Sequence, residues 1–363
     1  MKNKLPILLI TSLILVLLIS SLASFIGCTS ESTHSATTAA PSPATTTAPA
    51  QTFTLKVVSG LPKGHAGNRD MVSWTKTLEE RTGGRVKSEL YEGTLGSPPE
   101  FYDMIKNGVI DVMSMGDAWA PGQFPGMDVN YFPFTYPNWM VISAVDLEMY
   151  YQGLMPGFEP FKLLYFKPTL AFVPFFKDKR VTKLEDLKGM VVRPPGGAVS
   201  AATVAALGAT SKSLPGAETY MALAQGQIAC ALTGVDNVVG RKFYEQTKYA
   251  IKNATVQGGA FVMIMNKNTW NKLPNDIKLI VDQLNMETYY QFLAAQQAEE
   301  DGYWAETIKQ GVEVYTLAPE ELARWKAATK GVAEQWAKDQ DAKGLPGTKM
   351  LQTALSIAAR YQQ

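Results

Sequence analysis

One frame of residues occurs twice in the chain, at 102–116 and at 220–234. Each copy begins with Tyr and has an apolar residue three positions on, Gly six on, Ile eight on and Gly fourteen on. A helix stopped by Gly and followed by a short apolar run is typical of a helix that leads into a buried strand. We therefore predict a helix that ends at the first Gly of each copy, strands over 109–114 and 227–232, and two similar α/β halves.

Hydrophobic periodicity predicts further elements on both sides of the repeat. Apolar and polar residues alternate from Phe53 to Val57, which is a strand pattern, and apolar residues recur at helical spacing from Met71 to Leu78. The other predicted elements are a strand over 86–91 and helices over 198–207, from Asn275 to about Gln310 and from Pro319 to about Lys338, with a short tail after the last.

Two α/β halves define where a ligand would bind. Ligands of open α/β sheets bind beyond the carboxyl ends of the strands, so two facing sheets line one cleft between them. The loops at Gly116-Asp117 and Thr233-Gly234 are both expected to face it. The predicted fold is therefore a two-lobed α/β structure with a cleft between the lobes and a long inter-lobe helix. The predicted lobe I is 52–171 plus about 263–302, and lobe II is 172–262 plus about 303–363.

Residues 1–28 have the pattern of an export signal. Lys2 and Lys4 precede an uncharged run over 5–26, and Gly27-Cys28 follows. The pattern resembles a bacterial lipoprotein signal peptide, which implies lipidation of Cys28 and a lipid anchor in the cytoplasmic membrane. The alternatives are an uncleaved membrane helix and an ordinary signal peptide. Each of the three places the rest of the chain outside the cytoplasm, in the periplasm or at the cell surface.

Residues 29–51 are predicted to form a disordered tether. They are nearly all Ser, Thr, Ala and Pro, and such a segment has little apolar surface to bury. A flexible chain of this length reaches on the order of 25 Å. A binding protein that must dock on a membrane partner has a particular use for such a tether.

Charge, cysteine and histidine content narrow the function. The net charge of +1 gives no electrostatic footprint for nucleic acid. With Cys28 lipidated, Cys230 has no partner for a disulfide, and we predict it to be a small buried residue. His65 is the one histidine of the predicted folded part, and no hydrolase, nucleotide-binding or metalloprotease motif occurs. We therefore predict no catalytic residue, metal or cofactor; an extracytoplasmic enzyme acting on carboxylates is the less favoured alternative.

Arg193 is the strongest candidate for a ligand contact. It ends the predicted strand 190–192, so it is expected at the cleft edge, and a helix begins shortly after it. A helix N-terminus favours an anion, and a guanidinium can hold a carboxylate through two parallel N–H···O bonds. The alternative is a structural arginine that pairs with Glu185 or Asp186 on the surface.

Several blocks across residues 53–285 resemble one known family. Among them are Glu80-Arg-Thr-Gly-Gly-Arg-Val86, Gly189-Met-Val-Val-Arg-Pro194, Tyr220-x-x-Leu-x-x-Gly-x-Ile228 and Met265-Asn-Lys-x-x-Trp-x-x-Leu-Pro274. These blocks are similar to the DctP-type solute-binding proteins of TRAP transporters. The resemblance implies a periplasmic-binding-protein-like fold of type II and ion-driven import of organic acids. It also implies membrane permease subunits as partners and a carboxylate-binding arginine at Arg193.

The chain also departs from the family's patterns. Residues 170–176 lack the second arginine that some members carry, Thr233 stands where sugar-acid binders have Asn, and a Trp-Gly-Glu metal-binding pattern is absent. We therefore predict one fixed cation in an otherwise apolar and aromatic cleft. Such a cleft favours a monocarboxylate with an apolar or aromatic body over a sialic acid or a dicarboxylate.

The complete set of predicted ligand contacts comes from the strand ends, the loops and the aromatic residues near them. For each aromatic residue the alternative is core packing. The nearest alternative function is a binding protein of the same fold for an ABC importer or a sensor kinase, and a purely structural lipoprotein is less favoured. The predicted contacts are Arg193, Thr233, Gly116, Asp117, Trp119, Phe172, Phe175, Gly216, Tyr220 and His65, with Trp139 further out.

Overall fold

The computed structural model describes residues 51–361. The predicted signal peptide, Cys28 and all but the last residue of the predicted tether lie outside the described residues. Within 51–361, no helix combines the length and the apolar character needed to cross a membrane.

Strands and helices alternate along most of the described chain. The strands are β1 (Phe53–Ser59), β2 (Val86–Glu92), β3 (Val112–Gly116), β4 (Phe161–Pro168), β5 (Val173–Phe176), β6 (Val191–Arg193), β7 (Thr210–Ser211), β8 (Cys230–Thr233), β9 (Tyr249–Ile251), β10 (Ala260–Asn266) and β11 (Glu313–Tyr315). The helices are α1 (Arg69–Arg81), α2 (Pro98–Lys106), α3 (Trp139–Tyr151), α4 (Gly197–Ala206), α5 (Thr219–Ala224), α6 (Val235–Gly240), α7 (Lys267–Lys272), α8 (Asn275–Lys309), α9 (Pro319–Thr329), α10 (Gly331–Ala342) and α11 (Gly347–Arg360).

The strands form two sheets, each with one strand that runs against the others. The first sheet has the order β2-β1-β3-β10-β4, and β10 is antiparallel to both of its neighbours. The second has the order β11-β9-β5-β8-β6-β7, and β5 is antiparallel to both of its neighbours. The other strands of each sheet run in one direction, so their carboxyl ends share an edge. The two-lobed α/β fold predicted from the sequence is confirmed.

The chain crosses from one sheet to the other through two short segments that pair with each other. These are residues 169–172, between β4 and β5, and residues 256–259, which precede β10. The Phe172 amide donates to the Gln257 carbonyl at 2.8 Å, and the Thr169 amide donates to the Gly259 carbonyl at 2.9 Å. Two paired crossing segments between two sheets are suited to act as a hinge.

The repeated sequence frame has the same hydrogen bonds in both copies. Gly108 and Gly226 both have positive φ, and the residue after each donates its amide to the carbonyl five positions back, at 2.9 Å from Val109 and 2.8 Å from Gln227. The helix ends are therefore confirmed. The predicted strand starts at 109 and 227 are wrong by three residues, because this turn and the bonds after it occupy the residues before β3 and β8.

The long helix is confirmed, and the C-terminal prediction is corrected. α8 runs over Asn275–Lys309, and it buries Ile277, Val281 and Leu284, which belong to the predicted apolar stripe.

The single helix predicted over 319–338 is two helices that meet at Lys330, and the predicted short tail contains α11. α11 packs against α3, which lies in the stretch predicted as lobe I. The exact division of the chain into lobes stays a prediction.

One buried ion pair holds the turn that follows β1. The Lys167 ammonium, 4% exposed, lies 2.8 Å from the Asp70 carboxylate and donates to the Gly67 carbonyl at 2.7 Å. Tyr165 donates to the second oxygen of Asp70 at 2.8 Å. Breaking a buried pair of this kind leaves an uncompensated charge, so the network fixes the end of β4 against the start of α1.

Candidate ligand-binding site

A cavity of about 1250 Å³ lies between the two sheets. Its walls come from the carboxyl ends of parallel strands in both lobes, as the two-sheet argument predicts, and from the amino ends of β5 and β10. The wall residues at these ends are Gly60, Gly116, Lys167, Phe172, Arg193, Ser213, Thr233 and Ala260. A volume of this size accommodates a small organic molecule.

Arg193 is buried at the end of β6 and faces this cavity. Its side chain is 9% exposed, and its Nε donates to the Leu214 carbonyl at 3.4 Å. Glu185 pairs with Arg324 and Asp186 with Lys179, so the alternative of a structural surface pair does not hold. Among the side chains that the structure describes, none forms an ion pair with Arg193. Burial, followed by the nearby charge of Arg241, lowers the pKa of Arg193 to about 10, which leaves it charged at neutral pH.

The prediction of a single fixed cation is wrong, because Arg241 lines the same cavity. Arg241 follows α6, and its Nε donates to the Asn237 side-chain oxygen at 3.2 Å. A Cβ at Gly216 would lie 3.7 Å from Nη2 of Arg193 and 3.9 Å from Nη2 of Arg241. Two guanidinium groups therefore flank Gly216 on one wall. Arg241 was not predicted here, because it reaches the cavity through the short helix α6 that follows β8 and no local pattern marks it.

Aromatic side chains form the rest of the wall near the strand ends. Trp119 packs edge-on against Phe261 with ring centroids 5.2 Å apart, and Phe172 is stacked near Tyr131 at 6.3 Å. All four residues line the cavity. Trp119 and Phe172 were predicted here. Tyr131 and Phe261 were not, because no local pattern marks their approach to the cleft.

Most of the predicted contact residues lie on the cavity wall. Besides Arg193, Trp119 and Phe172, the wall includes Gly116, Gly216, Thr233 and His65. Asp117 begins the short turn after β3, and its side chain is outside what the structure describes.

Phe175, Tyr220 and Trp139 do not line the cavity, which corrects their predicted role. Phe175 is fully buried and stacks on Trp304 at 5.9 Å, because it lies within β5 on the face that carries the helices. The Tyr220 hydroxyl donates to Glu245 at 2.5 Å, away from the cleft. Trp139 belongs to the apolar core. Core packing, the alternative for each aromatic residue, applies to Phe175 and Trp139, whereas Tyr220 is partly buried and packs against the edge of that core.

His65 caps the helical turn after β1 and presents its other nitrogen to the cavity region. Its Nδ1 accepts from the Gly67 amide at 3.0 Å, so the proton of the neutral ring is on Nε2. Burial, and then the charges of Arg241 and Lys167, lower the pKa of His65 below its usual value of 6.5. His65 is therefore neutral at neutral pH.

Two contacts join the lobes across the cleft. A Cβ at Gly196, which precedes α4, would lie 2.7 Å from the Cβ of Ala118 in the turn after β3. A Cβ at Gly240, at the end of α6, would lie 3.7 Å from Nε2 of His65. Glycine at 196 lets the loops of the two lobes approach closely, whereas the distance at Gly240 corresponds to an ordinary van der Waals contact. Within 51–361, no group of three or more His, Cys, Asp or Glu side chains is placed to hold a metal ion.

Comparison with known families identifies the class of this fold and cleft. Residues 58–339 match the family model DctP, described as bacterial extracellular solute-binding protein, family 7. This match covers most of the chain. The chain belongs to the DctP family. The resemblance seen in the sequence is therefore confirmed, and the two-lobed cleft is that of a solute-binding protein.

Two relatives and one solved structure match this chain over most of their own length. The chain is 26% identical to a monocarboxylate 2-oxoacid-binding periplasmic protein of Nostoc, over 79% of this chain and 86% of the relative. It is 23% identical to a C4-dicarboxylate-binding periplasmic protein of Rhodobacter capsulatus, over 82% and 89%. A TRAP solute-binding protein of Rhodoferax ferrireducens, solved with copurified benzoate, is 25% identical and superimposes with a TM-score of 0.77 over 85% of this chain and 98% of that one.

Proposed function

We propose that this DctP-family protein captures an organic acid with an apolar or aromatic body and delivers it to the membrane subunits of a TRAP-type transporter. The observation that carries the proposal is the buried guanidinium of Arg193, which faces the cavity and forms no ion pair with a described side chain. A buried charge is unfavourable unless a partner compensates it. A ligand carboxylate supplies that partner and fits the planar fork of the guanidinium.

The aromatic walls favour a ligand with an apolar body. Trp119, Phe261, Phe172 and Tyr131 offer flat surfaces on which an aromatic ring or a branched chain can pack. The benzoate found with the Rhodoferax protein has this chemistry. The names of the Nostoc and Rhodobacter relatives specify a monocarboxylate and a dicarboxylate, and both are carboxylic acids.

Capture requires that the bound acid contact both lobes. Arg193 and Thr233 belong to strands of the second sheet, whereas Phe261 lies in β10 of the first sheet and Trp119 in the turn after β3. A ligand shifts an open form toward a closed one only if it binds the closed form more tightly, and contacts with both walls provide that difference. The hinge segments 169–172 and 256–259 allow the movement.

Delivery to a membrane partner is consistent with the N-terminal sequence. We infer an extracytoplasmic protein that is anchored to the cytoplasmic membrane. The support is the export pattern over 1–28, the predicted lipidation at Cys28 and the predicted polar tether over 29–51. Such a protein releases its ligand unchanged to the transporter. We infer that it has no catalytic activity of its own.

Mass spectrometry of the natively purified protein tests this proposal. Small molecules released by denaturation are expected to include a carboxylic acid in near-equimolar amount, and the same acid should be recovered unchanged after long incubation with the protein. The Arg193→Ala variant, purified in parallel, is expected to release much less of it. A released ligand without an acid group, or conversion of the acid to a product, would contradict the proposed function.

A further inference from the structure

The cleft contains more cationic groups than a single carboxylate requires. The lysine and arginine side chains that line it within 51–361 are Arg69, Lys167, Arg193 and Arg241. Arg69 pairs with Glu299 at 2.5 Å and Lys167 pairs with Asp70 at 2.8 Å. Arg193 and Arg241 form no ion pair with any described residue. A monocarboxylate on Arg193 would leave Arg241 without a carboxylate partner.

Asp236 is the acidic group whose charge acts on Arg241, and it only partly offsets the charge of that guanidinium. It lies one turn earlier in α6, and its Oδ1 is buried without a hydrogen-bond partner in the described chain. Burial raises the pKa of Asp236, which disfavours its charged form. Burial also lowers the pKa of Arg241, although the charge of Asp236 opposes this effect. The guanidinium of Arg241 is therefore available to a ligand.

A third hydrogen-bond donor approaches this end of the cleft from the other lobe. Nε2 of His65 carries the ring proton, is buried and has no hydrogen-bond partner among the described residues. It lies 3.7 Å from the position that a Cβ would take at Gly240, directly before Arg241 in the chain. A buried donor without an acceptor is unfavourable, so His65 and Arg241 together favour an oxygen acceptor between them.

We propose that Arg241 and His65 form a second subsite of the cleft, which takes an oxygen acceptor that the ligand carries in addition to the carboxylate on Arg193. The ligand class is thus an acid with a second oxygen function, either a hydroxyl or oxo group or a second carboxylate. This inference rests on the proposed function. It changes the predicted ligand from a simple apolar monoacid to a bifunctional acid.

Calorimetry with matched probes tests the second subsite. The probes are benzoate, 3-hydroxybenzoate and benzene-1,3-dicarboxylate, together with hexanoate, 6-hydroxyhexanoate and adipate. Within at least one series, the second oxygen is expected to improve the affinity of the wild-type protein by about tenfold or more, as one good charged hydrogen bond does. The better of the hydroxyl and carboxylate probes identifies which acceptor the subsite takes.

Variants of both subsite residues make the test specific. Arg241→Met is expected to remove the gain from the second oxygen, measured as the ratio of the affinities of each bifunctional probe and its parent monoacid in the same protein. His65→Asn keeps an oxygen that can accept from the Gly67 amide, so the variant is expected to fold. Because it removes the Nε2 donor of the other lobe, it is expected to reduce the gain in affinity from the second oxygen. The control Lys242→Met removes the same charge from the adjacent, exposed residue and is expected to retain the gain.

The outcomes separate this inference from the proposed function. Two outcomes would contradict the second subsite and leave the proposed function standing. In the first, the wild-type protein binds the monoacids but a second oxygen does not improve the affinity. In the second, the improvement in affinity persists in both Arg241→Met and His65→Asn. If none of the six probes binds, the proposed function is contradicted and the second subsite with it.

Discussion

At the scale of single residues, the chemistry of the cleft depends on side chains that lack their usual partners. Among the described side chains, Arg193 and Arg241 have no ion-pair partner and Nε2 of His65 has no acceptor. By contrast, the buried ammonium of Lys167, on the wall of the same cleft, is matched by Asp70. These three donors line one cavity, which indicates that the ligand completes the hydrogen bonding of the cleft.

The lowered pKa of His65 predicts a dependence of stability on pH. The unfolded chain takes up this proton near pH 6.5, whereas the folded protein does so at a lower pH. The free energy of unfolding should therefore fall as the pH drops below about 6.5, because the unfolded state then binds more protons. From pH 8 to pH 5.5 this loss is at most about 1.4 kcal/mol.

Urea unfolding of the wild-type protein and His65→Asn at pH 8 and pH 5.5 measures this effect. Asn does not titrate and can keep the cap on the Gly67 amide, so the variant is expected to lose less stability on acidification than the wild type. Equal losses in the two proteins would show that the pKa of His65 is the same in the folded and unfolded states.

At the scale of elements, local hydrogen bonds explain what the sequence could and could not predict. The two copies of the Tyr-to-Gly frame form the same helix end because Gly108 and Gly226 provide the required positive φ. The predicted starts of β3 and β8 are three residues too early, because the turn after each Gly and the hydrogen bonds that follow it occupy those residues. The helix α11 was missed although Met350, Leu351 and Ala354 are buried at helical spacing, a signal that was present in the sequence.

The contact between the turn after β3 and the loop before α4 predicts a variant that obstructs closure. Ala118 contacts Gly196 so closely that a larger side chain at 118 has no room when the lobes meet. Ala118→Leu is expected to weaken ligand binding by about tenfold or more, because the open form becomes favoured relative to the closed one. Ala118→Ser, which adds only one atom at the same position, is the control and is expected to bind more nearly as the wild type does.

Calorimetry and small-angle X-ray scattering check this prediction together. The wild-type protein is expected to become more compact when the co-purified acid is added, and Ala118→Leu is expected to compact less. Since residue 118 lies at the surface of the cleft, both variants should unfold at nearly the wild-type urea concentration. Wild-type affinity and full compaction in Ala118→Leu would mean that this contact plays no part in closure.

At the scale of the whole molecule, the cleft was predictable, but its full set of side chains was not. Two α/β halves and their strand ends specify where a ligand binds, and Arg193 follows from its place at the end of β6. Arg241 depends on how the short helix α6 packs after β8, and Tyr131 reaches the cleft from a 3-10 segment over 125–131. Neither position has a local pattern. Only the packing of the two lobes brings these residues together.

The measurement that tests the central claim most directly is calorimetric titration of the co-purified acid into the wild-type protein and variants at Arg193. Arg193→Ala is expected to lose about 2–5 kcal/mol of binding free energy, and Arg193→Lys is expected to bind more weakly than the wild type because a point charge cannot reproduce the guanidinium fork. The control Arg180→Ala removes an exposed arginine that pairs with Glu313, and it is expected to bind as the wild type does. Unchanged affinity in a folded Arg193→Ala protein would contradict the assignment of Arg193 as the carboxylate-binding residue.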